Sequence, residues 1–353
     1  MVPIIGEGTS AMHDGDLIIL LGAGCSVEAG IPSSSMMVQE VEHWLESDAA
    51  WSAYQRLYIF LKAALVATDV MRGQRQLSHI PDIERIVNTL TELEKNTECA
   101  LYPFIAGWHH HLASVAGPDF RQIKDFRNLI VKQLREWIAI NTYNKATYYD
   151  GFFRLCDELK FPLRIFSLNY DICLEMRAQQ HVVELGFNDD ETWDFRRFEA
   201  REEEAPHIYL YKLHGSITWY RDRTAGNILK LAATPQATPD LIFGTDYKMQ
   251  YIDPYLFYAY QLRRFSLEAR FILTIGYGYH DEHINGIITQ ALKHNPERVL
   301  IAISPTATED TSHLNLPPRQ IKPYDVKASA FLSQLTIENI ADRADTAAPP
   351  APF

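Results

Sequence analysis

The sequence lacks paired cysteines. Its four cysteines, Cys25, Cys99, Cys156 and Cys173, are scattered along 353 residues, and no two of them have the C-x-x-C spacing. That spacing is the usual signature of a zinc ribbon or of a redox-active dithiol. We therefore expect neither a metal site nor a redox dithiol in this protein.

Long apolar runs and an excess of positive charge are missing as well. The longest apolar run, near Leu17–Leu21, is far shorter than the ~20 residues of a membrane-spanning helix. The first sixteen residues have no basic segment followed by an apolar core, as a secretory signal has. The formal net charge of −12 argues against sequence-independent binding to phosphate backbones. We expect a cytoplasmic protein that binds neither nucleic acid nor membranes directly.

Short apolar runs that alternate with helical patterns dominate the rest of the chain. Five runs have the composition of buried strands, at 17–21, 162–169, 208–215, 270–278 and 298–305. Helical patterns at 172–180, 253–267 and 283–294 lie between some of them. The alternation predicts an α/β fold, with a Rossmann-like parallel sheet flanked by helices.

The interval between the first two strand-like runs contains helical patterns and no convincing strand. The segment "PDIERIVNTLTELEK" places its apolar residues along one helical stripe. We therefore predict a helical insertion at 38–157, after the first βα unit. The domain that contains the sheet would comprise 1–37 and 158–335, and the end of the chain, 336–353, has the composition of a disordered tail.

The glycine-rich turn "GAGCSVEAGIP" follows the first strand. Val27 stands where a dehydrogenase fingerprint needs a small residue, and no lysine follows the glycines as a phosphate P-loop requires. Backbone N–H groups of such a turn can hold a diphosphate at a helix start. The alternative is a tight turn that only packs the strand against a helix, and the glycines alone do not decide between the two.

Polar residues follow three further strand-like runs. Asn169 and Asp171 lie where the second run ends, His214 where the third ends, and Gly276 with Tyr277 where the fourth ends. In parallel sheets these carboxyl ends share one edge, where ligands bind. Asp171 could instead cap a helix, and His214 could be a hydrogen-bonded structural histidine. Taken together, the four strand ends predict a ligand site.

The ordered motifs "GAGCSVEAGIP", "SLNYD", "KLHGS" and "IGYGYHD" resemble the sirtuin-like family, and more closely its branch in bacterial antiphage defence. The resemblance implies that NAD+ is bound as the substrate. It implies that Asn169 orients the attacking water and that His214 contacts the ribose hydroxyls and accepts a proton. Asp171 would contact the nicotinamide amide or order its loop.

The resemblance also assigns the residues that bind the nucleotide. They are Gly22, Ala23, Gly24, Ser26, Gly30, Pro32, Gly276, Tyr277 and Ser304. Glu84 falls on a segment that lines the pocket in relatives, although it could equally be a solvated first-turn acid that favours the helix dipole.

Two departures from the family pattern bear on the reaction. Ser33–Met37 replaces the Phe-Arg pair of protein deacylases, and the two C-x-x-C pairs of their zinc module are missing. The resemblance therefore favours an NAD+ hydrolase that releases ADP-ribose and nicotinamide. A deacylase, an ADP-ribosyltransferase and a non-catalytic NAD- or ADP-ribose-binding scaffold are the alternatives.

A hydrolase that depletes NAD+ is toxic and needs restraint. The resemblance implies an effector of abortive infection in the bacterial cytoplasm, gated by homo-oligomerisation or by a partner. A HerA-type ATPase and a short Argonaute protein are the partners that it suggests.

Overall fold

The computed structural model describes residues 12–71, 82–94, 106–117, 120–199, 206–242 and 252–345. These residues form two compact units. The first unit combines 12–30, 141–242 and 252–345, and the second combines the described residues between 31 and 140.

The second unit is helical throughout its described residues. Its core centres on Phe126, whose ring stacks on Tyr54 at 5.1 Å and meets the edges of Trp51 and Tyr58 at 6.4 Å. The apolar stripe read from the sequence is buried on the fourth helix, including Val87. The helices are α1 (Ser34–Ser47), α2 (Ala49–Ser52), α3 (Gln55–Met71), α4 (Ile83–Glu94), α5 (Ala106–Ala116) and α6 (Arg121–Ile138).

A seven-stranded sheet forms the centre of the first unit, in the order β3-β4-β2-β1-β7-β8-β9, and every neighbouring pair is parallel. Two further strands, β5 and β6, form an antiparallel hairpin. The predicted Rossmann-like α/β fold is thereby confirmed. The strands are β1 (Leu17–Leu21), β2 (Leu163–Ser167), β3 (Val183–Glu184), β4 (Ile208–Lys212), β5 (Trp219–Asp222), β6 (Ile228–Leu231), β7 (Phe271–Ile275), β8 (Val299–Ser304) and β9 (Ile321–Asp325).

Strand β1 lies in the middle of the sheet, where Leu20 pairs with Phe166 on one side and with Thr274 on the other. All five of its residues are buried, because helices cover both faces of a parallel sheet. The five predicted strands are present. No usable sequence signal marks β3, which has two residues, or β9, whose Pro323 is tolerated because the strand lies at the sheet edge.

The helices of the first unit follow the predicted alternation. Helix α8 is shorter than the predicted 172–180, whereas α9 and α10 match their predicted positions within two residues at each end. They are α7 (Asp150–Leu159), α8 (Cys173–Arg177), α9 (Tyr255–Glu268), α10 (Glu282–His294), α11 (Ala307–Thr311), α12 (Ala328–Ser333) and α13 (Ile337–Asp345). None of the helices in the described stretches is both long and apolar enough to cross a membrane.

The borders of the two units differ from the predicted 38–157 insertion. The segment Asn144–Leu159 belongs to the sheet unit, because it buries its aromatic side chains against that unit. The Tyr148 hydroxyl donates to the Cys25 carbonyl at 2.6 Å, and a Cβ on Gly151 would come within 2.1 Å of the Leu332 carbonyl oxygen. The sequence predicted a helical insertion here but contained no signal for the unit on which its last helix packs.

The end of the chain also differs from the predicted disordered tail. Helix α13 occupies 337–345, with Ile340 fully buried. The Tyr324 hydroxyl donates to the Arg343 carbonyl at 2.8 Å, and the Arg343 guanidinium lies 4.5 Å from the centre of the Tyr324 ring. The disorder predicted from residue 336 therefore does not extend over this helix. Residues 346–353 lie outside the described residues.

Two turns at the carboxyl ends of β1 and β7 contact each other through their backbones. Gly22 N donates to Ile275 O at 3.0 Å, and Gly24 N donates to Gly276 O at 2.9 Å. A Cβ on Gly22 would lie 2.5 Å from Gly276 O, and one on Gly276 would lie 2.1 Å from Cys25 N. Glycine is required at both positions because the two backbones leave no space for a side chain.

We predict that Gly276→Ala destabilises the fold by about 3 kcal/mol or more, because it adds a backbone clash to the strain of a φ of +65°. Gly226→Ala is the matched control. Gly226 has a φ of +78°, and a Cβ added there would meet nothing within 4 Å, so that variant should lose only about 1 kcal/mol. Denaturant titration measures both losses, and equal losses would show that the turn contact contributes nothing.

Candidate functional site

Ser26, Asn169 and Asp171 form a buried hydrogen-bond network where β1 and β2 end. The Ser26 hydroxyl donates to Asp171 Oδ2 at 2.7 Å and accepts from Asn169 Nδ2 at 3.1 Å. Asn169 Nδ2 also donates to Gly22 O at 3.0 Å. All three side chains are at least nine-tenths buried. The network joins the glycine turn to the polar end of β2, as the shared sheet edge predicted.

Asp171 serves two structural purposes. Its Oδ2 accepts from Ser26, and its Oδ1 accepts from Cys173 N at 2.9 Å, where α8 begins. The bond from Cys173 N fits the alternative in which Asp171 supports the start of a helix, and its role in a reaction stays a prediction. The carboxylate fixes the loop that carries Asn169, because both of its oxygens are occupied by groups on different segments.

A buried ion pair supports this loop from the adjacent strand. Lys212, at the end of β4, is 1% exposed, and its Nζ donates to the Asp171 carbonyl and to Glu175 Oε1, the latter at 2.9 Å. Burial raises the pKa of Glu175, and the Lys212 charge opposes that shift. A small cavity beside the pair is lined by Leu21, Tyr149, Ser167, Asn169, Asp171, Leu174, Glu175, Leu210 and Lys212.

Sequence reasoning missed two residues of this network. Lys212 carried a signal, since a lysine inside the apolar run "IYLYKL" must be paired if the strand is buried. Tyr149, whose hydroxyl lies 2.9 Å from Ser26 Oγ, carried no signal, because it comes from a segment 123 residues away in sequence.

His214 lies in a second cluster, directly after β4. Its side chain is 3% exposed, and its Nε2 lies 3.5 Å from Asp281 Oδ2. Its buried Nδ1 has no hydrogen-bond partner among the described residues. Buried polar atoms are nearly always paired, so an unpaired imidazole nitrogen indicates a place where a ligand or water binds. Asp281 belongs to the motif "IGYGYHD", but the sequence did not predict that it would lie beside His214.

The turn that carries His214 is held on several sides. Ile242 N donates to the His214 carbonyl at 2.9 Å, and the Tyr170 hydroxyl donates to the Ile242 carbonyl at 2.7 Å. Gly215 has a φ of +88°, and a Cβ there would lie 2.1 Å from the Asp240 carbonyl oxygen. The "HG" pair of the sequence thus has a steric reason: glycine lets the turn pack against 240–242.

The residues predicted to bind the nucleotide lie at several different positions in the structure. Ala23 and Gly24 lie at the accessible part of the glycine turn, while Gly22 and Ser26 are buried in it. Gly30 ends the next 3-10 turn with a φ of +105° and has open space around it.

The residues predicted to bind the nucleotide at the other strand ends differ in whether their side chains are buried or already hydrogen-bonded. Gly276 faces the glycine turn through its backbone, but the Tyr277 side chain is buried, with its hydroxyl 2.9 Å from Asn285 Oδ1. Ser304 lies at the end of β8 and donates to Asp310 Oδ2 at 2.7 Å. Pro32 and Glu84 belong to the second unit, Pro32 just before α1 and Glu84 in the first turn of α4.

Cys25, inside the glycine turn, is a buried thiol. Burial raises its pKa to about 12, although a hydrogen bond from Tyr149 opposes the shift. The thiol is therefore protonated at neutral pH, which fits a small packing residue rather than a nucleophile. In the parts of the chain that are described, no group of three or more His, Cys, Asp or Glu side chains could hold a metal ion.

The parallel sheet and its polar carboxyl edge define a Rossmann-like α/β protein. Residues 163–324 match the family model of the SIR2-like domain. This match supports the sirtuin-like resemblance that the motifs predicted. A search of curated protein sequences finds no match.

Several solved structures are similar to this chain at 14% identity. One is a triple mutant of a Sir2 homologue in complex with 2′-O-acetyl ADP ribose, with a TM-score of 0.44 over 94% of this chain and 93% of that one. Another is a complex of a Sir2 homologue with NAD, with a TM-score of 0.43 over 93% and 90%. A third is a mutant Sir2 homologue with ADP ribose, with a TM-score of 0.41 over 92% of both chains.

We predict that Ser26→Ala destabilises the fold by about 1–3 kcal/mol, because Asn169 Nδ2 and Asp171 Oδ2 each lose a buried partner. Ser312→Ala is the control in the same unit. The Ser312 hydroxyl is exposed and bonds only to the Glu309 carbonyl, so its loss should be within about 0.5 kcal/mol. Thermal and denaturant unfolding compare the two variants, and equal stabilities would contradict the hub role of Ser26.

We also predict that Cys25 resists alkylation by iodoacetamide at pH 8 in the folded protein. Burial raises the pKa of Cys25 to about 12, so its thiol stays protonated at that pH, and the side chain is fully buried. Peptide mass spectrometry should show modification of Cys25 only after denaturant is added. Rapid modification before unfolding would mean that this thiol is accessible and reactive.

Proposed function

We propose that the protein is an NAD+ glycohydrolase, which cleaves NAD+ to ADP-ribose and nicotinamide. The observation that carries the proposal is the composition of one sheet edge. This edge has a glycine turn fixed by Asn169 and Asp171, and a buried histidine, His214, whose Nδ1 has no partner. A binding turn, a water-orienting amide and a proton acceptor are the groups that such a hydrolysis needs.

The family supports NAD+ as the substrate. Residues 163–324 are a SIR2-like domain, and the motifs that carry the sirtuin-like resemblance lie at the ends of β1, β2, β4 and β7. Ligands of parallel α/β sheets bind at this edge. The exposed Ala23 is the backbone position of the turn that can meet the diphosphate, because the Gly24 N–H already donates to Gly276 O.

The chemistry follows from the residue types. Breaking the bond between ribose C1′ and the nicotinamide nitrogen leaves oxocarbenium character on the ribose, and neutral nicotinamide departs with the bonding electron pair. A water molecule adds to C1′ and releases one proton. Both Asn169 amide hydrogens are used by Gly22 O and Ser26 Oγ, so its Oδ1 is the end that accepts a hydrogen bond from that water.

His214 supplies the proton acceptor. Its ring sits next to Asp281, and its Nδ1 is available to a ribose hydroxyl or to the water that it activates. Imidazole is the side chain whose proton affinity suits this exchange near neutral pH. Asp171 holds the Asn169 loop in place through Ser26 and Cys173 N and orders the nicotinamide side of the site.

Water is favoured over an acyl-lysine peptide as the acceptor. The sequence has Ser33–Met37 where deacylases of the family have Phe-Arg, and it contains no C-x-x-C pair for their zinc module. Deacylation and ADP-ribosyl transfer are the alternative outcomes of the same cleavage. Mass spectrometry with NAD+ and an acylated peptide separates them, since 2′-O-acyl-ADP-ribose forms only by deacylation.

The biological role that we propose is an effector of bacterial antiphage defence, acting in the cytoplasm. An enzyme that empties the NAD+ pool is compatible with growth only when it is restrained. We therefore propose that a homo-oligomer or a partner, such as a HerA-type ATPase or a short Argonaute protein, gates the activity. In this proposal the partner recognises the infection and the SIR2-like domain carries out the NAD+ chemistry.

We predict that the activated protein depletes NAD+ and releases nicotinamide in equal amounts, and that Asn169→Ala and His214→Ala each lower the rate by about 10²-fold or more. Asn141→Ala and His294→Ala are matched controls, since both side chains are exposed. Chromatography of the products provides the measurement. If the wild type and both site variants deplete NAD+ equally, the roles assigned to Asn169 and His214 are wrong. If no activated form depletes NAD+, the proposed hydrolase activity is wrong.

A further inference from the structure

We propose that Asp281 is a positioning residue that sets the tautomer of His214 and so leaves Nδ1 as the proton acceptor. The inference deepens the proposed hydrolysis and rests on it for its catalytic consequence. Its structural part concerns two buried side chains, His214 at the end of β4 and Asp281 at the start of α10, which are 3% and 5% exposed.

The two oxygens of the Asp281 carboxylate face different partners. Oδ1 accepts from His283 N at 3.0 Å and from Ile284 N at 3.3 Å, which caps the amino end of α10. Oδ2 faces His214 Nε2 at 3.5 Å. Catalytic hydrogen bonds are often this long before the substrate binds and then shorten. A carboxylate used only as a helix cap would need just one of these oxygens.

The acceptor chemistry of Asp281 decides where the ring proton sits. An ionised carboxylate can only accept hydrogen bonds, so the Nε2 that faces it carries the hydrogen. In the neutral ring the other nitrogen, Nδ1, then carries the lone pair. Nδ1 is also the nitrogen that is buried without a partner, so the lone pair lies on the ring atom that the protein leaves unpaired.

The position of Asp281 is itself fixed by the fold. The cap attaches its carboxylate to α10, and the Tyr277 hydroxyl donates to the Asp281 carbonyl at 3.2 Å. Tyr277 also contacts Asn285 on α10 at 2.9 Å. The buried Tyr277, which sequence reasoning assigned to the nucleotide, thus acts on the loop that holds Asp281.

Asp281→Asn separates the two uses of this carboxylate. Asparagine caps helices about as well as aspartate, so its Oδ1 preserves the α10 cap. Its amide nitrogen then faces His214 Nε2 as a donor, which forces the ring proton onto Nδ1 and removes the acceptor. Asp48→Asn is the matched control, because Asp48 caps α2 by accepting from Ala50 N at 2.7 Å and touches no histidine.

We expect Asp281→Asn to lower kcat for NAD+ cleavage by about 10²- to 10⁴-fold, the range for a base held in the wrong tautomer. KM should stay within about twofold and the melting temperature within about 2 °C, because binding groups and the cap remain. Nitrogen NMR of histidine-labelled protein, with His214→Gln to assign the signal, should show the neutral ring protonated at Nε2 in the wild type and at Nδ1 in the variant.

The outcomes separate this inference from the proposed function. Wild-type activity in Asp281→Asn, or the same His214 tautomer in both proteins, would overturn the positioning role while leaving NAD+ hydrolysis intact. If activated wild type releases no nicotinamide, the hydrolase proposal fails, and the NMR comparison alone decides whether Asp281 sets the tautomer. A melting temperature that falls in Asp281→Asn but not in Asp48→Asn, with unchanged tautomer, would make Asp281 a structural cap only.

Discussion

The contact between two backbones, at the ends of β1 and β7, is the constraint on which the site depends. Gly24 N donates to Gly276 O, and no side chain fits between the two turns. This contact brings the ends of two central strands together at the carboxyl edge of the sheet. It also decides which parts of the turn face outward: Ala23 is exposed, while Cys25 and Ser26 point into the protein.

The inward-facing half of that turn organises the polar network. Ser26 connects Asn169, Asp171 and Tyr149, which come from the end of β2 and from the segment before α7. Buried networks of this kind are stabilising only when every member is satisfied, because an unpaired polar group is costly in a low-dielectric interior. Lys212 extends the network to β4, so the loop after β2 is held from both neighbouring strands.

His214 contrasts with that network, since one of its ring nitrogens is left unsatisfied. Its turn is clamped by Ile242 and by the close approach of Gly215 to Asp240. These contacts fix the backbone position from which the His214 ring extends. The imidazole of His214 is incompletely paired, and it lies beside a fully paired network. We expect this arrangement where the rigid network supports ligand binding and the unpaired nitrogen takes part in the reaction.

Much of this protein could be predicted from the sequence because its signals are local. Five apolar runs identified strands, since a central parallel strand buries every residue, as β1 does. The spacing of glycines and the polar residues after each run predicted that Asn169, Asp171 and His214 lie at one edge of the sheet, and they carried the sirtuin-like resemblance that the match at 163–324 supports. Strands β3 and β9 were not predicted, because a very short strand and an edge strand with proline have no periodic pattern.

The sequence "GAGCSVEAGIP" by itself determined that a glycine-rich turn follows the first strand and that this turn is neither a dehydrogenase fingerprint nor a P-loop. Residue types and their spacing are enough to decide both points. Only the tertiary structure decided what the turn touches. Tyr149, Lys212 and Asp281 joined the site through contacts between segments far apart in sequence. Tyr277 proved to be a buried support, because a side chain's direction depends on packing that periodicity does not encode.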